Sequence, residues 1–148
     1  MENIKVNQDC VHVVFLGVPN IPGIAAGIFS ELSEHSIEIL MITQNTMRGG
    51  RSDLSFLADK NKLDEIMSLC RKISEKVEAQ GVSFATEVTA ITVALKNTSE
   101  AAKILSKIFN ALASAKINIE IINSGSESVI CIISAVNSQK ALEALKNA

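Results

Sequence analysis

Residues Ile28–Leu32 read IFSEL, and 80 positions further on Ile108–Leu112 read IFNAL. Carried forward, the same offset lays Ile37, Ile39 and Ile42 on Ile117, Ile119 and Ile122. Beyond that point an offset of 76 lays Ile66 and Leu69 on Leu142 and Leu145, which makes the second copy's turn four residues shorter. Apolar matches that run through a helix, a loop and a strand indicate two tandem copies of one supersecondary unit.

Each copy can be read outward from its matched helix. In the first, Ile24, Ile28 and Leu32 recur at spacing four, which predicts an amphipathic helix over Pro22 to His35. Upstream, Ile4–Val6 is a short extended segment. His12–Val18 is a clearer strand, with Val14 and Leu16 on one face and Val13 and Phe15 on the other. Apolar residues on both faces predict a sheet covered by helices on one side and partly covered on the other. Ile37–Asn45 (IEILMITQN) follows as a strand, Arg48-Gly49-Gly50-Arg51 as a hairpin turn, and Asp53–Ala58 as the returning strand. Arg48 and Arg51 read as solvated charges flanking that turn. Leu63, Ile66, Met67, Cys70, Ile73 and Val77 mark a second helix, Gly81 stops it, and Val82–Glu87 is the next strand. The order is βαββαβ, the split βαβ arrangement.

The order then restarts with a strand at Val88–Leu95 and a helix at Ser99–Ala115, with Thr98 or Ser99 as its N-cap. Strands at Ile117–Asn123 and Ser128–Ala135 and a helix at Asn137–Lys146 complete it. The predicted class is α+β: two ferredoxin-like units with antiparallel sheets and helices on one face, bounded at 9–87 and 88–148. The second copy is one strand short, and residues 1–8 are expected to supply it.

Composition narrows the function. A 47% hydrophobic content predicts a folded chain, and 148 residues in one compact body would bury roughly 70% of the unfolded surface. No apolar run reaches the roughly 18 residues of a membrane span, and MENIKVNQDC has no signal-peptide core, so the expected location is the cytoplasm. A net charge of −2, no Trp or Tyr and only five Phe argue against nucleic acid. Cys10, Cys70 and Cys131 are odd in number and lack metal-ligand spacing, so they read as reduced packing residues. His12 and His35 have no nucleophile or ligand cluster beside them; His35 suits a helix C-terminus, where the macrodipole favours positive charge. No nucleophile elbow, phosphate-binding loop or zinc motif is present. Neither a catalytic residue, a metal nor a cofactor is expected.

The candidate binding element is Gly17–Phe29, GVPNIPGIAAGIF. Pro22 suits a first helical position, and Gly23 lets a ligand or another backbone come close. The N–H groups of Ile24 to Ala26 would then face outward at the positive end of a helix, which favours a carboxylate.

These stretches carry a resemblance. The βαββαβ pair with N-x-P-G at its first strand–helix loop resembles the ACT domain family of small-molecule regulatory modules. GVPNIPGIAAGIFSEL, SIEILMITQN and SDLSFLAD, with KINIEIINSGSES in the second copy, are similar to the C-terminal regulatory region of aspartate kinases. The resemblance covers essentially the whole chain. It implies a non-catalytic regulatory protein that binds a small amino acid, lysine or threonine, between the first loop and the end of the second strand. By position the effector-binding residues are Val18, Asn20, Ile21, Pro22, Gly23, Ile24, Ala25, Ile42, Thr43, Gln44 and Asn45. Asn123, Ser124, Ser126 and Glu127 match in the second copy. It implies a homodimer through ACT–ACT contacts and a kinase catalytic subunit as partner. Two positions depart from the pattern: Asn20 stands where those kinases have an acid, and Ala102 and Lys103 replace Pro22 and Gly23 in the second copy. They leave room for an alternative, an ACT assembly module that has kept dimerisation and lost its ligand.

Overall fold

The computed structural model describes residues 1, 3–46 and 49–148, with backbone alone at position 98. The chain divides into two compact units, one of Asp9–Thr86 and one of Met1–Gln8 with Glu87–Ala148. Strands β1 (Ile4–Pro19) and β4 (Gly81–Ala94) are long and each contributes to both units. The sequence presents each of them as two separate strands. No proline or glycine interrupts Asn7–Val11 or Glu87–Val88, so the extended backbone runs straight through.

In the Asp9–Thr86 unit the remaining elements are α1 (Ile24–Glu34), β2 (Ile39–Thr46), β3 (Arg51–Asp59) and α2 (Leu63–Lys76). The strands lie in the order β2-β3-β1-β4. The β1–β3 and β2–β3 pairs are antiparallel, and Phe56 stands opposite both Val13 and Ile42. Val11, Val13, Phe15, Leu54, Phe56 and Ala58 alternate onto the face that α1 and α2 cover with Ile28, Leu32, Ile66, Cys70 and Ile73. Phe29 meets Phe56 edge-on, with ring centroids 6.2 Å apart.

The other unit holds α3 (Ala101–Ser114), β5 (Ile121–Ser124), β6 (Ser128–Ser134) and α4 (Ser138–Lys146). Its strand order is β1-β4-β6-β5, and the Ala94 N–H donates to the Asn3 carbonyl at 3.2 Å. Ile4 and Val6 pack against a core of Ile91, Val93, Ile108, Leu112, Cys131 and Leu145.

The repeat holds in hydrogen-bond detail. Ser36 has φ 55° and Lys116 φ 57°, each one residue past the C-cap of its helix. Ile37 N–H donates to Leu32 O at 3.1 Å, and Ile117 N–H to Leu112 O at 2.9 Å. These are matched Schellman closures, offset by 80.

The second offset needs correction. Asp59 (φ −68°, ψ 137°) opens a 3-10 turn at Lys60–Lys62, and Ser134 (φ −62°, ψ 136°) opens one at Ala135–Asn137. Ile42 pairs with Phe56 as Ile122 pairs with Cys131. The offset is therefore 75, the turn is five residues shorter, and Ile66 corresponds to Ala141 and Cys70 to Leu145. Matching large aliphatics misses this because Ala141 is small, although it is fully buried.

Thr89 and Ser138 occupy the places of Val11 and Leu63. Their hydroxyls lie 2.6 Å apart in full burial, and Ser138 Oγ donates onward to Ala135 O at 2.7 Å. The polar pair is therefore satisfied. His12 differs. It is 8% exposed, its Nε2 has no hydrogen-bond partner among the described residues, and burial holds its pKa below 6.5.

Three outcomes follow. Ser36→Gly and Lys116→Gly each remove left-handed strain and should raise stability by about 0.5–1 kcal/mol net of the glycine's entropy, measured by urea denaturation. Because His12 has a lower pKa folded than unfolded, the unfolded chain binds its proton first as pH falls below 6.5. Stability should drop across that range, and His12→Leu should flatten the drop in thermal melts at pH 7 and pH 5. Deleting residues 1–7 should lower protection of β4 and β6 amides in the second unit; unchanged exchange there would contradict a structural role for the lent strand.

Candidate ligand-binding site

The site begins at an irregularity in β1. Its register with β3 shifts between Phe15 and Val18, a bulge with Gly17 at φ 57°. The Gly17 N–H donates to Asp53 Oδ1 at 2.9 Å, and its carbonyl accepts from Arg51 Nη1. A Cβ at this position would lie 2.2 Å from Gln80 Oε1. The backbone angle calls for glycine, while the flexible Gln80 side chain fills the space that a Cβ would take.

The bulge turns the chain into the loop. Pro19 stands opposite Arg51, Asn20 N–H donates to Gly50 O at 2.7 Å, and Ile21 N–H to Pro19 O at 3.0 Å. Gly23, at φ 93°, is the N-cap of α1, and no side chain caps the helix. The helix thus starts at Ile24, two residues later than the sequence suggests, because the left-handed Gly23 cannot be part of it. Gly27 N–H makes the first in-helix bond, to Gly23 O at 2.9 Å. The N–H groups of Ile24, Ala25 and Ala26 precede it and have no in-helix acceptor. With no acidic residue in that first turn, the positive end of α1 is left uncompensated.

Beside this end is an open cavity of about 470 Å³ lined by the run Pro19 to Ala25 and by Gln44. Gln44 Nε2 donates to Ser52 Oγ at 3.0 Å, which fixes the side chain and leaves its carbonyl oxygen as an acceptor. Asn20, Ile21, Pro22, Gly23, Ile24, Ala25 and Gln44 are brought together here, along with Pro19, which lies inside the Gly17–Phe29 element but is not among the effector residues named from the sequence. Val18 is not part of the lining: its side chain is buried in the core. Ile42 is 47% exposed on β2, Thr43 shares a hydrogen bond with Ser55, and Asn45 is exposed, so these three also lie outside the cavity.

The second copy is arranged differently. Asn123 and Ser124 sit on β5 opposite Ile130 and Val129, and Ser126 is exposed. Glu127 borders a separate cavity of about 580 Å³ with Lys5, Thr92 and Ser128. At the helix entrance, Asn97 Oδ1 accepts from Ser99 N at 3.0 Å and from Ser99 Oγ at 2.8 Å. Asn97 therefore caps a 3-10 turn at Thr98–Glu100, and the N-cap position of α3 is Glu100, with no side-chain cap, rather than Ser99; the side chain of Thr98 lies outside the described residues.

Arg51 is also corrected: it is half-buried and donates to both Gly17 O and Glu78 O, the latter at 3.1 Å. Arg48 lies outside the described residues. The signal for Arg51 and Asp53 was a glycine at a strand end, which marks bulges as well as loops. His35 Nδ1 donates to Glu31 O at 2.9 Å at the end of α1. Cys10, Cys70 and Cys131 are buried thiols, with burial raising Cys70 to about 12 and Cys131 to about 11. Among the described residues no helix is long and apolar enough to cross a membrane.

Comparison with known proteins follows the same division. An ACT domain model matches residues 12–75 and a second ACT domain model matches 91–148. The chain belongs to the ACT domain family, as a tandem pair. Its full length is 27% identical to an aspartate kinase of Pseudomonas fluorescens, and it is 28% identical over 146 residues to an aspartokinase of Helicobacter pylori. The chain spans 36% and 35% of those two proteins, and its 148 residues hold ACT units and no kinase domain. The ligand-free regulatory subunit of aspartate kinase from Thermus thermophilus shares its fold, with TM-score 0.89 and 24% identity, over 98% of this chain and 95% of that one. Aspartate kinase from Synechocystis does so with TM-score 0.87, 24% identity and coverage of 98% and 26%.

The cysteine burial predicts that Ellman's reagent reacts with none of the three thiols in native protein within minutes and with all three in guanidinium, since the thiolate is the reactive form.

Proposed function

We propose that the chain is an amino-acid-sensing regulatory module of aspartate kinase-type biosynthesis, with its effector site at the Pro19–Ala25 loop and Gln44. One observation carries this reading: an uncapped helix end, a left-handed glycine and two amide side chains border one cavity of about 470 Å³. The N–H groups of Ile24 to Ala26 suit the α-carboxylate. The amide oxygens of Asn20 and Gln44 suit the α-ammonium or a hydroxyl. Neither side chain titrates, so affinity depends on pH only through the ligand. Lysine and threonine are the effectors expected from the resemblance.

The homology to aspartate kinase regulatory subunits supports a kinase catalytic subunit as the controlled partner, and a second copy of the chain as the other. Occupancy would act by binding one arrangement of the ACT units more tightly than another, since a ligand shifts an equilibrium only through such a difference. A ligand-free assembly role is the second reading, favoured by Asn20 in place of an acid and by Leu40 and Ile42, exposed on edge strand β2.

Isothermal titration of the 148-residue chain with lysine, threonine and then the other common amino acids tests the first reading. Binding of one of them is expected, with affinity flat from pH 6 to 8. Asn20→Ala should weaken it by about 0.5–1.5 kcal/mol, the worth of one hydrogen bond. If none of the twenty binds while the chain sediments as a dimer, the assembly reading replaces the sensing one.

A further inference from the structure

Arg51 holds two carbonyls that belong to different parts of the unit. One is Gly17 O, in the bulge that launches the loop; the other is Glu78 O, just past the C-terminus of α2. A guanidinium can bridge them because it presents several donors in a rigid plane. The second contact is also favoured by charge, as the C-terminal end of a helix is partially negative. Glu78 is left-handed at φ 58°, and Glu78 and Ala79 N–H close α2 onto Glu75 O at 3.2 Å and Ser74 O at 3.0 Å. Directly after it, Gln80 N–H donates to Leu16 O at 2.8 Å, and the Gln80 side chain lies over the Gly17 α-carbon. Gly17 is therefore gripped at its nitrogen by Asp53, at its carbonyl by Arg51, and over its α-carbon by Gln80. The bulge cannot shift without disturbing the start of β4, the strand that carries the chain out of this unit.

We propose that Arg51 is a positioning residue that couples the Pro19–Ala25 loop to the α2–β4 junction at Glu78–Gly81. Strain or ligand placed on the loop is passed through the Gly17 carbonyl to the Glu78 carbonyl. Only the ligand step rests on the sensing function proposed above; the coupling itself is a property of the free protein.

The test is amide exchange by NMR on the intact 148-residue chain. Gly23→Ala disturbs the loop from its far end, through a positive φ that alanine disfavours, while its Cβ meets open space. With Arg51 present, this substitution should speed exchange of the Ala79 and Gln80 amides by about threefold or more, the scale of coupled neighbours. In an Arg51→Met background the same substitution should leave the Ala79 amide unchanged, while Gln80, bonded directly to Leu16 O, still responds and serves as the Arg51-independent control; Arg51→Lys should restore part of the Ala79 effect. The coupling is overturned if Gly23→Ala leaves Ala79 and Gln80 unaffected with Arg51 present. It is equally overturned if the acceleration of Ala79 is the same in Arg51→Met, since a purely structural arginine would give that. If Arg51→Met loosens the whole unit, Arg51→Lys carries the comparison. A second arm adds threonine or lysine: protection at residues 77–81 with Arg51, and its loss in Arg51→Met, is expected. Failure of both amino acids to bind would count against sensing, while the exchange rates of the free protein still decide the coupling.

Discussion

Gly17 is fixed by Asp53 and Arg51, two side chains of β3 that hold its N–H and its carbonyl. Everything distinctive about the first unit depends on that grip. The bulge redirects β1 so that Asn20 reaches Gly50, Pro22 and Gly23 turn the corner, and α1 starts with bare N–H groups beside Gln44. A bulge with a left-handed glycine is held only where its neighbours over-determine it. Here two charge-assisted hydrogen bonds do so.

The two copies separate what the fold needs from what the site needs. Both have the isoleucine and leucine that seat the first helix and the same Schellman closure, at Ser36 and at Lys116. Among the described residues only the first has a glycine bulge and a Pro-Gly turn; α1 and α3 alike start without a side-chain cap. The second enters its helix through a 3-10 turn at Thr98–Glu100, in which Asn97 takes the N–H of Ser99. Since the architecture forms without the Pro-Gly loop, the loop's presence in the first copy calls for another reason, and ligand recognition supplies one.

Much of this was legible in the sequence. Repeated apolar spacing fixed the α+β class and the two-copy plan, because core packing imposes a period that survives drift in everything else. Most of the cavity lining was readable from the N-I-P-G loop and Gln44. What was not legible has physical causes. Arg51 and Asp53 act on a backbone 34 and 36 residues away, a relation with no periodic trace. Val18, Ile42, Thr43 and Asn45 were placed at the site by position alone: Val18 is buried in the core, the pleat turns Thr43 and Asn45 away from the face of Gln44, and Ile42 shares that face but lies one pleat further from the loop. The offset of 75 was hidden because a buried alanine scores poorly as a match to isoleucine, although both fill core positions.

The central claim is that the first copy's loop binds an amino acid and the second copy's helix entrance does not. Chemical-shift mapping of the 15N-labelled chain with threonine and with lysine tests it most directly. One of them should shift amides within residues 19–26 and at Gln44, while residues 96–104 stay in place. No shifts with either amino acid, or shifts centred on residues 96–104, would contradict it.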